Sequence, residues 1–296
     1  MPDLTLKDGR TLVYHLHGSE QGAPVLFVHG ISDSGLIRHH DDALTASLGV
    51  RLISPNLPGI GRSTRKRGRG LFEWSRDAIE LADALGLERF AVAGHSGGAA
   101  HALALAAACP HRVTRVVLAS PVGPFDDLAL DAFVVSSELR TIQRLYRWRL
   151  FPVIRAALVI LSFQVRRDPA GFIEESALSY PSDTAAFLES PTQRKIFEAS
   201  FSEGFAQYGE GIYEVVCASS GKWDFDLSSV TQPVDIFYGD TDDIMSPELS
   251  FILAKRLPNA TTHLWAGGGH YDYVKRERWV EFVGAMVGAD SKNPPP

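Results

Sequence analysis

Cysteine is scarce, with two residues, Cys109 and Cys217, in 296. Two thiols cannot staple a chain of this size, so a disulfide framework is excluded and a reducing compartment is expected. Both are read as buried apolar residues rather than nucleophiles. Positive charge is not in excess: 29 Lys and Arg stand against 35 Asp and Glu, a formal net charge of −6 with His neutral. Phosphate contacts need Lys and Arg in surplus on one face, so no nucleic-acid partner is expected. No apolar run reaches about 18 uninterrupted residues, which excludes a spanning helix and stable membrane insertion. The stretch Met1-Pro2-Asp3-Leu4-Thr5 lacks a basic start followed by an apolar run. No signal peptide is read there, and a cytoplasmic location is expected. No metal-ligand spacing stands out, and no cofactor is expected.

What is present is ordinary for a folded enzyme or binding module. Hydrophobic residues make up 45%, aromatic residues 10% and charged residues 22%. That excludes disordered, collagen-like and coiled-coil chains and supplies a sizeable core. At roughly 150 residues per domain, the length suggests two domains or one large domain with an insertion.

Leu4 to Leu16 reads as a hairpin turning at Asp8-Gly9. Pro24 to Val28, Val50 to Ser54, Arg89 to Gly94 and Val113 to Ala119 are short apolar runs of the kind buried on both faces of a parallel sheet. Helical patterns separate them: Leu36 to Ser47, Glu73 to Leu85 and Gly97 to Ala108. The fold class is therefore α/β, a mostly parallel sheet with helices on both faces. From about Phe125 to Phe225 the strands stop and helical stretches follow, broken by Pro152, Pro169, Pro181 and Pro191. Strands resume at Val234 to Tyr238 and Thr261 to Trp265, with helices near 247–257 and 276–287. The expected organisation is a core of 1–122 and 227–290, an inserted helical segment 123–226, and a loose tail 291–296.

Gly94-His95-Ser96-Gly97-Gly98 matches G-x-S-x-G between a strand and an Ala-rich helix. A Ser on that sharp turn stands above the sheet edge with a helix N-terminus aimed at it. A Ser hydroxyl needs a base in hydrogen-bond reach, and the base needs an orienting acid. Asp242 follows the strand 234–238, and His270 follows the strand 261–265. Both fall at the C-terminal strand edge, where open parallel sheets gather ligands.

These residues resemble the α/β-hydrolase fold family, serine branch, over about 1–122 and 227–288. The resemblance includes His29-Gly30, Asn56-Leu57-Pro58-Gly59-Ile60-Gly61-Arg62-Ser63, the Ser96 elbow, Gly239-x-x-Asp242 and Gly269-His270. Asn56 departs from the family's usual Asp at a position that is mainly structural there. The resemblance implies an eight-stranded sheet, with the insertion as a cap. It also implies Ser96 as nucleophile, His270 as base and Asp242 as orienting acid, with the backbone N–H groups of Ile31 and Gly97 holding the oxyanion. It favours Asp242 over the flanking Asp240 and Asp243; Asp126, after the strand 113–119, is the alternative acid. A Ser nucleophile argues against the epoxide hydrolase and dehalogenase relatives, which use Asp there.

Candidate pocket residues are His29, His95, Trp148, Phe151, Tyr180 and Phe205. His29 also reads as structural. Cap aromatics, Phe163, Phe172, Phe187, Phe201 and Tyr208 among them, suggest a partly apolar substrate. His15 and His17 alternate on a strand and read as an exposed face, and His39-His40 reads as helical. Arg62 to Arg69 reads as a solvated basic loop. Arg144 to Arg167 reads as cap helices with arginines outward, or as a helix touching a membrane surface.

The expected function is a cofactor-independent hydrolase of a small carboxylic ester, its partner a small ester-like molecule. The same residues suit carbon–carbon, thioester, lactone or amide cleavage. A receptor on a hydrolase scaffold, or cofactor-free oxygen chemistry through His270 without Ser96, are alternatives of other classes. Monomer and homodimer both stay open.

Overall fold

The runs that read as doubly buried strands form the centre of one sheet. A computed structural model describes residues 1–124, 131–188 and 190–288. The alternative acid Asp126 and the tail 291–296 lie outside the described residues. The strands are β1 (Asp3–Thr5), β2 (Thr11–Gly18), β3 (Ala23–Val28), β4 (Val50–Pro55), β5 (Phe90–His95), β6 (Val113–Ala119), β7 (Val234–Gly239) and β8 (Ala260–Trp265). Among the described residues they make an eight-stranded sheet of order β1-β2-β4-β3-β5-β6-β7-β8. β2 runs antiparallel to both neighbours, and the remaining pairs are parallel. Val25 to Val28 and Val116 to Ala119 are fully buried, as strands covered on both faces must be.

From β3 the chain moves outward to β4, then returns to β5 on the other side of β3. The crevice between the C-terminal ends of β3 and β5 is therefore a topological switch point. α1 (Asp42–Ser47), α2 (Leu71–Ala84) and α3 (Gly98–Ala108) connect these strands. Between β6 and β7 the described residues form α4 (Ser137–Arg147), α5 (Phe151–Arg167), α6 (Pro169–Ser179), α7 (Thr184–Leu188), α8 (Pro191–Gly204) and α9 (Glu210–Ser220). α10 (Pro247–Arg256) and α11 (Arg276–Val287) flank the last strands.

Three local expectations are corrected. The crossover helix does not begin at Leu36. Asp41 caps it by accepting the Leu44 N–H at 2.9 Å, so helix starts at Asp42 and His39-His40 sits in the preceding loop. His15 and His17 do not face solvent. Leu16 takes the exposed side, while His15 is buried against Glu203 of α8 and His17 lies beside Asp42. The basic run 62–69 is solvated only in part. Arg65 pairs with Glu210 and Glu214 of α9, and Arg69 is buried with its guanidinium 2.9 Å from His101 Nε2.

Candidate active site

Ser96 takes a φ of 50°, a left-handed conformation that is strained for a residue with a Cβ. The turn closes because its glycines let backbones touch. A Cβ on Gly98 would lie 2.2 Å from the Val28 carbonyl oxygen, and one on Gly94 2.6 Å from that of Gly98. Ser96 is 8% exposed and opens onto a cavity of about 340 Å³ that His270 also borders.

Asp242, in the loop after β7, is fixed before it meets the histidine. Its Oδ1 accepts the N–H groups of Ile244 at 2.8 Å and Met245 at 2.9 Å. Its Oδ2 lies 2.8 Å from His270 Nδ1. A carboxylate only accepts, so Nδ1 carries the proton and Nε2 is left as the free base. Burial works against a charged His270. The Asp242 charge and hydrogen bond, with Asp183 and Asp33 further off, outweigh it and leave the imidazole above its ordinary value. Ser96 and His270 share the cavity with no hydrogen bond between them, an arrangement common before substrate binds. The flanking acids are otherwise engaged: Asp240 accepts the Gly267 N–H at 2.6 Å and Asp243 the Ser182 N–H at 2.9 Å.

Ile31 lies close to Gly97, the residue after Ser96, and lines the same cavity as Ser96. A Cβ on Gly97 would fall 3.6 Å from Ile31 N and 2.6 Å from Ile31 Cγ1. Neither residue's N–H donates to another backbone group among the described residues. Two such unspent donors suit an oxygen that gains charge.

The remaining candidates divide. Tyr180 and Phe205 line the cavity. Trp148 does not; it is 69% exposed at the end of α4. Phe151 packs edge-on against Tyr146 and borders a surface groove. His29 and His95 are fully buried braces rather than cavity walls. His29 Nδ1–H donates to the Gly30 carbonyl at 2.8 Å and Nε2 accepts the Leu57 N–H at 3.2 Å. Burial pushes His29 down to about 4, so the ring stays neutral. His95 Nε2–H donates to the His270 carbonyl at 3.1 Å and so steadies the loop carrying that histidine.

Two residues escaped the sequence reading. Tyr271 lines the cavity beside His270, and its place next to that histidine is a usable signal. Asp183, just before α7, has no such signal. Its carboxylate accepts the Tyr271 N–H at 2.7 Å and the His270 N–H at 3.2 Å. With Ser182 bonded to Asp243, this one corner of the helical segment grips both loops that carry the Asp242–His270 pair. Burial, with Asp242's charge adding, pushes Asp183 up to about 7 against the pull of His270 and the two N–H groups.

This elbow, pair and switch-point placement define a hydrolase-type site. The family model described as the alpha/beta hydrolase fold matches residues 23–277, and the chain belongs to that family. It is similar to 2-hydroxymuconate semialdehyde hydrolase of Pseudomonas putida, with 26% identity over 91% of this chain and 88% of the relative. It is also similar to 2-hydroxy-6-oxo-2,4-heptadienoate hydrolase of Pseudomonas putida strain F1, with 24% identity over 93% of both chains. Among solved structures, a thermophilic esterase from Thermogutta terrifontis shares the fold with a TM-score of 0.65, 22% identity and 96% coverage of both chains. The names of these relatives support hydrolytic chemistry for this chain.

Proposed function

We propose that this chain is a cofactor-independent serine hydrolase that cleaves an uncharged, partly apolar carboxylic ester beneath a cap formed by α4–α9. In this reading Ser96 Oγ attacks the ester carbonyl carbon and its proton passes to His270 Nε2. The carbonyl oxygen, now negative, accepts from the Ile31 and Gly97 N–H groups. The intermediate collapses, the carbon–oxygen bond breaks, and His270 protonates the departing alcohol. Water, deprotonated by His270, then attacks the acyl-enzyme and releases the acid and Ser96. Asp242 holds the imidazole tautomer and balances its charge.

The single observation that carries the choice of substrate is the composition of the cavity wall. Phe172, Phe187, Phe201, Phe205 and Ile212 line the cavity onto which Ser96 opens, with Glu138 and Glu175 among its polar lining residues. Among the described lining residues the one imidazole is His270, and none is Lys or Arg. A substrate carboxylate would lose water here and gain no cationic partner, which costs several kcal/mol. The alternative is carbon–carbon cleavage, favoured by similarity to the two Pseudomonas hydrolases along most of the chain. Their substrate names denote carboxylates, for which this wall offers no Lys or Arg partner.

The test compares p-nitrophenyl butyrate with p-nitrophenyl hemisuccinate, of similar length but ending in a carboxylate. We expect kcat/KM to be at least roughly 100-fold lower for the anionic ester. Equal rates, or faster turnover of a 2-hydroxy-6-oxo dienoate than of any neutral ester, would overturn the ester reading.

A further inference from the structure

α5 is apolar on two opposite sides. Ile154, Leu158 and Val165 are buried against the rest of the protein. On the far side Val153, Ile160 and Phe163 face solvent, with exposures of 49%, 63% and 58%. Steps of seven and three, with exposed Ala156 and Ala157 between, keep these side chains in one stripe. Trp148, three residues before α5 begins at Phe151, is 69% exposed. Tyr208, whose ring meets that of Phe163 at 5.6 Å, extends the stripe at its Phe163 end. Single exposed apolar residues are ordinary, but a helix apolar on both sides normally has cover on both.

Charge identifies the cover. Residues 137–168 carry seven arginines and two acidic residues, Glu138 and Asp168, in a chain whose net charge is −6. α5 itself has no acidic residue. Arg144 and Arg149 are exposed near its start, and Arg166 and Arg167 at its end. The stripe is therefore apolar along its length and cationic at both ends.

We propose that the α4–α5 face docks on the surface of a bilayer containing anionic phospholipid. In that pose Trp148, Ile160 and Phe163 enter the headgroup boundary and the terminal arginines meet lipid phosphates. A second copy of this chain is the poorer cover, because pairing α5 with itself in either direction brings arginine clusters together. The helix lies flat: 17 residues at about 1.5 Å each give roughly 25 Å, short of a crossing. Among the described residues no helix is long and apolar enough to cross a membrane. The docking does not depend on which bond the site cleaves.

The test is co-sedimentation of the full chain with vesicles of phosphatidylcholine alone and of phosphatidylcholine with about one third phosphatidylglycerol. Two double variants are compared, Ile160→Ser/Phe163→Ser and Arg166→Gln/Arg167→Gln. None of the four residues borders the Ser96 cavity, and an unchanged circular dichroism spectrum and urea midpoint certify folding. Binding to the anionic vesicles alone, weakened by high salt, is expected. It should fall at least tenfold in the Ser pair, and roughly 25-fold in the Gln pair at about fivefold per arginine. Absence of binding, equal binding to neutral vesicles, or binding unchanged in both variants would overturn the proposal. So would a dimer that Ile160→Ser/Phe163→Ser dissociates, since a second copy would then be the cover.

Discussion

At the residue scale, the proposed mechanism makes Ser96, His270 and Asp242 depend on one another. The hydroxyl needs the free Nε2, and Nε2 is free because Asp242 holds Nδ1–H at 2.8 Å. Parts that act as one unit fail as one unit. Ser96→Ala and His270→Ala should each lower kcat by roughly 10³ to 10⁶, and the double variant should be little worse. Asp242→Asn should cost less than Ser96→Ala. Steady-state kinetics on one ester checks all four proteins; losses that multiply would show the residues acting independently. Asp183 offers a second test at this scale. Its folded-state value of about 7 lies above the ordinary aspartate value near 3.9. Between those limits the folded chain holds a proton that the unfolded chain has released, so stability falls as pH rises through the window. Asp183→Asn has no such proton. Its stability relative to wild type should therefore improve from pH 5 to pH 8 in urea unfolding. A gap that is the same at both pH values would mean that Asp183 ionises normally.

At the element scale, the elbow rests on close approach between β3 and the start of α3. Gly98→Ala pushes a Cβ to 2.2 Å from one backbone carbonyl oxygen and 2.5 Å from the next, that of His29. Neither can rotate away as a side chain would. The expected cost is about 1–3 kcal/mol, read as a lower urea midpoint together with loss of whatever hydrolysis the wild type shows. An unchanged midpoint would show that the strand and helix separate easily. What was legible in the sequence was legible at this scale. Pro24–Val28 and Val113–Ala119 read as doubly buried strands from their apolar runs, which hold fully at Val25–Val28 and Val116–Ala119, and the Ser96 motif was placed by the strand and helix around it. The start of α1 was misread because Leu36 and Ile37 continue the helical spacing, whereas the Asp41 cap decides where the helix begins. Exposure on β2 was misjudged because alternation gives two faces without saying which is covered. Glu203, far along the chain, covers the histidine side.

At the scale of the whole molecule, the cavity joins the strand ends of the sheet to helices α4–α9, and long-range packing sets its walls. That is why Phe205 could be nominated from composition while Trp148, an equally good aromatic, turned out to face solvent. Asp183 was invisible for the same reason: it is 87 residues from His270 in sequence and bonded to it in space. The C-terminal strand edge, by contrast, was legible from where Ser96, Asp242 and His270 follow their strands, while the switch point within it comes from the strand order of the folded sheet. The most direct measurement of whether Ser96 is an activated nucleophile is labelling with a fluorophosphonate, read by intact mass and peptide mapping beside Ser96→Ala. A single adduct on Ser96, absent from the variant, is the expected result. Folded protein that stays unlabelled, or an adduct that persists in Ser96→Ala, would contradict a serine mechanism at this site.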